Sequence, residues 1–275
     1  MSVKRQIIER QRQWALASGL PLCVQGYLPS VEMNLRQQLN PQSRASFEQG
    51  SGSELKDSPR GPAKAKAPHS SSVLAINFFD HWVGVDPTPL LHAIGIEGEV
   101  VDVRFEEQFP TGLGRIPPNL DVVLKCADGF VFAIESKFTE WLTPKSASKL
   151  PLKEKYFEGG AKVWSKVGLN ATQRFAERLQ GREVAFRYLD APQLIKHALG
   201  LATNLGNRFR LLYIYFDGPC RDESAINHRR EVEAFEAELG DELGFLAISY
   251  QQLLAHLSKT EGVNPAYLEY LQLRY

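Results

Sequence analysis

Long apolar runs, cysteine and net charge are scarce in this chain of 275 residues. No stretch approaches the roughly 18 consecutive apolar residues of a membrane-spanning helix, and the N-terminal residues lack the apolar core of a secretory signal. The three cysteines, Cys23, Cys126 and Cys220, are widely spaced and have no neighbouring ligand pattern, so neither a disulfide framework nor a zinc site is indicated. We therefore expect a soluble cytoplasmic protein with buried thiols.

The motifs of several enzyme classes are also absent. HExxH, GxSxG, a phosphate-binding P-loop and a dinucleotide fingerprint do not occur. The net charge of zero argues against a protein that coats nucleic acid. Residues 136–182 nevertheless carry ten Lys or Arg against four Glu, a balance of +6, and residues 222–242 carry eight acids against two Arg, a balance of −6. The basic segment suits a phosphate backbone, although solvated lysines on helices give the same count.

Two apolar runs near the middle of the chain, DVVLKC and FVFAI, predict a β-hairpin because they flank an Asp-Gly pair that ends at Gly129. A two-residue loop would place Asp121 and Glu135 on opposite faces of the sheet. A three-residue loop, with Gly129 in the left-handed conformation of a bulge, instead pairs Asp121 with Glu135 and puts both on the face of Lys137. We expect the three-residue loop, which brings the three charges together.

Two carboxylates and one ammonium in such a cluster suit phosphodiester hydrolysis. Asp121 and Glu135 would hold Mg²⁺, or Mn²⁺ in its place, because Mg²⁺ keeps several waters and takes only one or two carboxylates. The ion would lower the pKa of a bound water and neutralise charge on the phosphate. Lys137 would orient that water or help to deprotonate it. The alternative is an amphipathic strand with Glu and Lys on its outward face, which is common at sheet edges.

The hairpin resembles the motif of the PD-(D/E)xK nuclease superfamily, which has the restriction-endonuclease-like fold. The matching residues are Pro118-Asn119-Leu120-Asp121, then Glu135-Ser136-Lys137. The proline stands three positions before the aspartate, whereas in the superfamily it stands one position before it. The resemblance implies an α/β fold, with helices flanking a mixed central sheet in the order αβββαβ. It further implies an Mg²⁺-dependent nuclease, an endonuclease acting on DNA in preference to RNA.

No membrane partner is expected, because no apolar run is long enough to span a bilayer. The resemblance allows a homodimer, because nucleases of this class often dimerise to cut both strands. A catalytically inactive member of the same fold, serving as a nucleic-acid-binding or scaffold module, is the alternative to the nuclease.

A third acid is expected upstream of the hairpin, since many members of the superfamily supply one there. Our candidate for this third metal ligand is Glu107, which period-two alternation places in an apolar row with Phe105. An acid in such a row needs a partner, and a metal would be one. Neighbouring Glu106 is expected to be a plain surface acid. Glu54 is a further choice for a ligand, with a disordered linker as the alternative account of its segment.

A helix is predicted from Asp190 to about Leu205, with Asp190 as its N-cap and a proline in its first turn. In the superfamily the corresponding helix packs beside the site, and some exonuclease branches carry Gln and Tyr four residues apart on it. Gln193 and His197 occupy these positions here, so both are expected as accessory residues. The alternative is a polar helix face turned to water.

Composition predicts a change in the chain near residue 70. Residues 1–70 are expected to form an N-terminal helical segment and a flexible linker or loop, because residues 40–72 are rich in Ser, Gly, Pro, Lys and Gln and nearly free of apolar residues. Residues 71–275 then form the nuclease-like domain, with a helical insert over residues 145–182. The first helix of this insert is expected over residues 152–166.

Periodicity predicts the remaining elements. The other expected helices cover residues 3–17, 30–39, 73–83, 172–179, 222–239 and 251–257, and the expected strands outside the hairpin cover residues 99–109, 210–216 and 245–250. This order of helices and strands is typical of an α/β fold.

Overall fold

The computed structural model describes residues 2–49, 54–59, 61–114, 117–146, 148–219 and 221–275. Of the three expected buried thiols, Cys126 is buried, Cys23 is exposed, which corrects the prediction, and Cys220 lies outside the described residues. The helices are α1 Val3–Ala17, α2 Pro41–Gln49, α3 Ser71–Phe79, α4 Thr88–Ile94, α5 Asn170–Gln180, α6 Ala191–Leu205, α7 Glu223–Leu243, α8 Tyr250–Leu257 and α9 Pro265–Arg274. The strands are β1 Val100–Gln108, β2 Asn119–Cys126, β3 Val131–Lys137, β4 Phe209–Tyr215 and β5 Leu246–Ser249.

The five strands form one mixed sheet in the order β1-β2-β3-β4-β5. β1, β2 and β3 are antiparallel neighbours, whereas β4 pairs in parallel with both β3 and β5. Helices α3 and α4 precede β1, and α6 lies between β3 and β4 in the chain. This αβββαβ order, with helices flanking a mixed sheet, confirms the predicted restriction-endonuclease-like fold.

Apolar side chains fill two layers, one on each face of the sheet. Val122 and Ile134 belong to the layer that includes residues of α3, α8 and α9, and Val123 and Ala133 to the layer that includes residues of α5, α6 and α7. Successive strand residues point to opposite faces, so the odd-numbered positions of β2 and β3 face α6. No helix in the described ranges is long and apolar enough to cross a membrane.

Residues 40–72 differ from the predicted flexible linker. They contain α2, and the ring of Phe47 is buried with its centroid 5.4 Å from that of Phe105 on β1. Ala63 and Ala65 are buried as well. Composition misled the prediction because it averages the whole segment, whereas single apolar side chains such as Phe47, Ala63 and Ala65 are part of the core.

The prediction of a helix over residues 152–166 is wrong. This segment forms only 3-10 turns of three residues each. Gly159 and Gly160 have φ angles of 61° and 71°, which lie in the left-handed region and end a right-handed helix. The second predicted helix of the insert is present as α5.

Three short elements also differ from prediction. Residues 30–39 contain a 3-10 turn, Glu32–Asn34, in place of a helix, because the backbone is extended again at Leu35. Helices α4 and α9, which each have a proline in the first turn, were not predicted. Seven and ten residues give too few turns for a clear periodicity.

Candidate active site

The turn between β2 and β3 has the three-residue loop that the sequence predicts. The backbone N–H of Cys126 donates to the carbonyl of Phe130 at 2.8 Å, and that of Gly129 donates to the carbonyl of Cys126 at 3.0 Å. Gly129 has a φ of 80°, a conformation that glycine adopts without steric cost. The predicted bulge is therefore confirmed.

The register that follows from this turn places two carboxylates opposite each other. Val122 pairs with Ile134, so Asp121 lies opposite Glu135 at the far end of the hairpin. Oδ2 of Asp121 accepts a hydrogen bond from the backbone N–H of Ser136 at 2.7 Å. Asp121 is half-buried and Glu135 is buried, so the protein holds two acids together with little water around one of them.

Lys137 provides the positive charge beside this pair. Its ammonium donates to Oε1 of Glu135. Burial by itself would lower the pKa of Lys137, but the charges of Glu135 and Asp121 outweigh burial and raise it. While both carboxylates are charged, Lys137 therefore remains an ammonium and acts as a fixed charge.

The pKa values of the two carboxyl groups are shifted in opposite directions. Burial alone would raise the pKa of Glu135, but the charges of Lys137 and His197 and the hydrogen bond from Lys137 lower it to about 2. Burial and then the charge of Glu135 raise the pKa of Asp121 well above its usual range. A cation bound between the two carboxylates would offset both effects on Asp121.

Helix α6 brings His197 to the second oxygen of Glu135. Nε2 of His197 lies 3.0 Å from Oε2 of Glu135, and both side chains are 1% exposed. The two atoms approach without hydrogen-bond geometry, and neither has a hydrogen-bond partner among the described residues. Gln193 is half-buried one turn earlier on the same helix face, and its backbone N–H bonds the N-cap Asp190 at 3.1 Å.

A close backbone approach sets the position of α6. A Cβ atom at Gly200 would lie 2.3 Å from the carbonyl oxygen of Phe109, so only glycine allows this distance. One turn later, Nδ2 of Asn204 donates to the carbonyl of Pro110 at 2.9 Å. These contacts fix the helix that carries His197 against the end of β1.

The position of Glu107, the predicted third acid, differs from the sequence prediction. The carboxylate of Glu107 pairs with Lys125, with Oε1 and Nζ 2.6 Å apart, and it is Glu106 that lies opposite Asp121 in the register of β1 and β2. After burial and the charge of Glu135, the charge of Glu106 also raises the pKa of Asp121.

The backbone conformation at Glu106 explains why alternation pointed to Glu107. Glu106 has a φ of 51°, which interrupts the extended conformation that period-two alternation assumes. A pair of adjacent acids at the end of a strand was the signal that could have indicated Glu106.

Glu54 is held outside the carboxylate pair. Its Oε1 lies 2.7 Å from Nζ of Lys64, and its Oε2 accepts from the hydroxyl of Ser72 at 2.6 Å. Burial, and to a smaller extent the charge of Glu54, raise the pKa of Glu106, whose Oε2 accepts from Nδ2 of Asn119 at 3.0 Å. Across the described ranges, no group of three or more His, Cys, Asp or Glu side chains is arranged to hold a metal ion.

The acidic helix α7 covers part of the basic segment. Arg178 on α5 pairs with Glu238 at 2.6 Å, and the carboxylate of Glu242 accepts from the backbone N–H groups of Ala171 and Thr172 at 2.7 Å. The two opposite charge balances in the sequence are thus partly paired in the fold. Lys196 lies elsewhere, half-buried beside His197 on α6.

Comparison with known proteins identifies one family. A family model described as restriction endonuclease associating with ARP matches residues 32–275. No curated protein and no solved structure matches the chain. The matched range contains all five strands, the β2–β3 hairpin and α6.

Proposed function

We propose a metal-dependent nuclease activity for this chain, which belongs to the family of restriction endonucleases associating with ARP. The observation that carries the proposal is the facing pair of Asp121 and Glu135 with Lys137 bound to the second. Two adjacent acids shielded from water cost free energy unless cations compensate them. The proposed reaction is hydrolysis of phosphodiester bonds in DNA, and ARP is a proposed partner from the family's description alone.

The donor set fits Mg²⁺ or Mn²⁺. Asp121 and Glu135 would hold the ion through hard carboxylate oxygens, with Glu106 in place of Glu107 as the nearby third acid. Two carboxylates are sufficient because Mg²⁺ retains waters and binds phosphate oxygens of the substrate. Burial and then the charge of Glu135 raise the pKa of Asp121, and a cation bound between the facing carboxylates would oppose both effects.

When bound, the ion supplies a water of lowered pKa and neutralises charge on the phosphate. The chain's own residues do the positioning. Lys137 places a permanent ammonium where negative charge develops, and at 17% exposure it is more accessible than Glu135, so a phosphate approaching from solvent meets it first. His197 borders the second oxygen of Glu135 and restricts the rotation of that carboxylate.

Incubation with circular, linear duplex and single-stranded DNA tests the proposal, with Mg²⁺, Mn²⁺ or EDTA present. We expect cleavage that requires the metal and includes the circular substrate. Asp121→Asn and Lys137→Met should each lower the cleavage rate by about 100-fold or more while circular dichroism shows a folded protein. Full activity in either folded variant would contradict the mechanism.

A nucleic-acid-binding module without activity is the second candidate. It is favoured by the fact that both oxygens of Glu135 already have neighbours, Lys137 at one and His197 at the other. Calorimetric titration with Mn²⁺ separates the two functions. The nuclease should bind the ion and lose this binding in Asp121→Asn, whereas the inactive module should bind none.

A further inference from the structure

A pocket lined by cations lies beside the start of α6. Four basic residues line it, Lys145, Lys149, Arg182 and Arg187, and none of its described lining residues is acidic. Its volume is about 260 Å³, which is below the range of about 300–1,000 Å³ of sites for drug-sized ligands. The pocket therefore suits a single small group that carries or adjoins a negative charge.

The interior of this basic pocket is apolar. Leu179 and Pro192 are buried, and Phe186 is half-buried among the lining residues. The ring of Phe186 packs edge-on against Phe175 and Phe235, with centroid distances of 5.4 and 6.4 Å. These contacts fix a partly accessible aromatic ring, which is a platform on which a nucleic-acid base stacks.

The cations of the pocket are held in place by their own contacts. Arg182 has a φ of 62°, and its guanidinium donates to the carbonyl of Ser148 at 3.2 Å. Lys145 pairs with Asp190, the N-cap of α6. A non-glycine residue in the left-handed region costs free energy, and such residues cluster at ligand sites.

The pocket is close to the carboxylate pair. Pro192 in the pocket and His197 at the pair are five residues apart on α6, which is about 8 Å along the helix axis. Lys196 lies between them. Burial lowers the pKa of Lys196, and the charges of Lys145 in the pocket and Glu135 at the carboxylate pair both act on its ammonium. Lys196 is therefore within electrostatic range of both places. Five residues are also about 140° of rotation about the helix axis, so a DNA strand with a phosphate at the pair would pass around the start of α6 to place a nearby nucleotide in the pocket.

We propose that the basic pocket holds one unpaired nucleotide of the DNA strand, with its base against Phe186 and its phosphate at Lys149 and Arg182. The favoured substrate is then DNA with an unpaired stretch, either a single strand or a duplex, linear or circular, that opens locally. A paired base would have to leave its stack to enter, whereas an unpaired base enters at the lowest cost. This inference rests on the proposed function, because it assigns the substrate class of the same site.

Fluorescence anisotropy in EDTA tests the inference without cleavage, using a short labelled single strand and the blunt duplex of the same sequence. The single strand should bind more tightly than the duplex. Ala185→Trp fills the exposed part of the pocket without changing charge, and Lys149→Glu reverses one lining charge. Each variant should weaken binding of the single strand by about tenfold or more, since base stacking and phosphate contacts are of that size.

Lys259→Glu is the matched control, because Lys259 is exposed at the end of α8 and its reversal makes the same change in net charge. It should alter binding by less than about twofold. Equal binding of both DNA forms, unchanged binding in folded Ala185→Trp, or an equal loss in Lys259→Glu would each overturn the pocket proposal. Failure of the nuclease proposal would differ: single-strand binding would persist, but no DNA would be cut in Mg²⁺.

Discussion

Asp121 and Glu135 face each other across the hairpin because Gly129 adds a third residue to its turn. The facing positions of Asp121 and Glu135 therefore depend on a glycine at the opposite end of both strands. One residue fewer in the loop would shift the pairing by one position and turn one carboxylate to the other face of the sheet.

Glu106 should affect metal binding more than Glu107. Glu106 lies opposite Asp121, whereas the carboxylate of Glu107 pairs with Lys125. We expect Glu106→Gln to weaken Mn²⁺ binding by about tenfold, as for other residues that act next to metal ligands. Glu107→Gln should leave Mn²⁺ binding unchanged and cost at most about 1 kcal/mol of stability, because its ion pair is partly exposed. Calorimetry measures both, and a larger effect from Glu107→Gln would restore the original assignment.

His197 should matter through its contact with Glu135. His197→Leu removes the nitrogen 3.0 Å from Oε2 of Glu135 and leaves that buried oxygen among apolar atoms. We expect kcat to fall by about 10- to 100-fold. His197→Gln offers an amide N–H in the same region and should recover part of the loss. Equal activity in both folded variants would show that His197 only fills space.

Gly200 should be sensitive to a single methyl group. Gly200→Ala brings Cβ to 2.3 Å from the carbonyl oxygen of Phe109, so α6 must move away from β1. Overpacking of this kind costs about 1–3 kcal/mol, and the displacement of His197 should lower the cleavage rate as well.

Gly240→Ala on α7 is the control for this experiment, because a Cβ atom at Gly240 would lie 3.5 Å from the flexible side chain of Glu236. This substitution should raise stability by about 0.5–1 kcal/mol. Thermal unfolding of the two variants compares them directly. Equal melting temperatures would mean that α6 does not depend on the close approach.

His228 should make the protein less stable in acid. It is fully buried, its Nε2 lies 2.8 Å from the hydroxyl of Tyr213, and its ring stacks on Trp141 at 4.3 Å. Burial, followed by the charge of Arg229, lowers its pKa to about 3, whereas an unfolded histidine titrates near 6.5. Below about pH 6.5 the unfolded chain binds a proton that the folded protein does not.

Stability from this group is therefore complete above about pH 6.5 and is lost as the pH falls from there towards about 3, by an amount on the order of 5 kcal/mol. Denaturant unfolding at several pH values should show a shallower decline for His228→Gln than for the unmodified protein. His92→Gln, at an exposed position on α4, should keep the original slope. Identical slopes for His228→Gln and the unmodified protein would contradict the prediction.

The site could be predicted from the sequence where local rules decide the geometry. The Asp-Gly pair and its flanking apolar runs predicted the hairpin, and the convergence of charges chose between the two possible registers of Asp121 and Glu135. The four-residue spacing put Gln193 and His197 on one helix face. Glu106 was missed because its positive φ is a tertiary outcome that alternation does not encode. The buried position of Phe47 was missed because composition averages a segment, while packing depends on single side chains.

The pairing of α7 with α5 has a consequence for how salt affects DNA binding. Because Arg178 is already paired with Glu238, it is less available to neutralise a DNA phosphate and release the counterion condensed there. The cations of the basic pocket and Lys137 beside the carboxylate pair are then the ones expected to contact phosphates. If about four of them contact phosphates, the logarithm of the affinity for a single strand should fall with the logarithm of salt concentration with a slope of only about −3. A protein of this kind would keep its DNA bound, through contacts in the pocket, at salt concentrations that release DNA from a more basic protein.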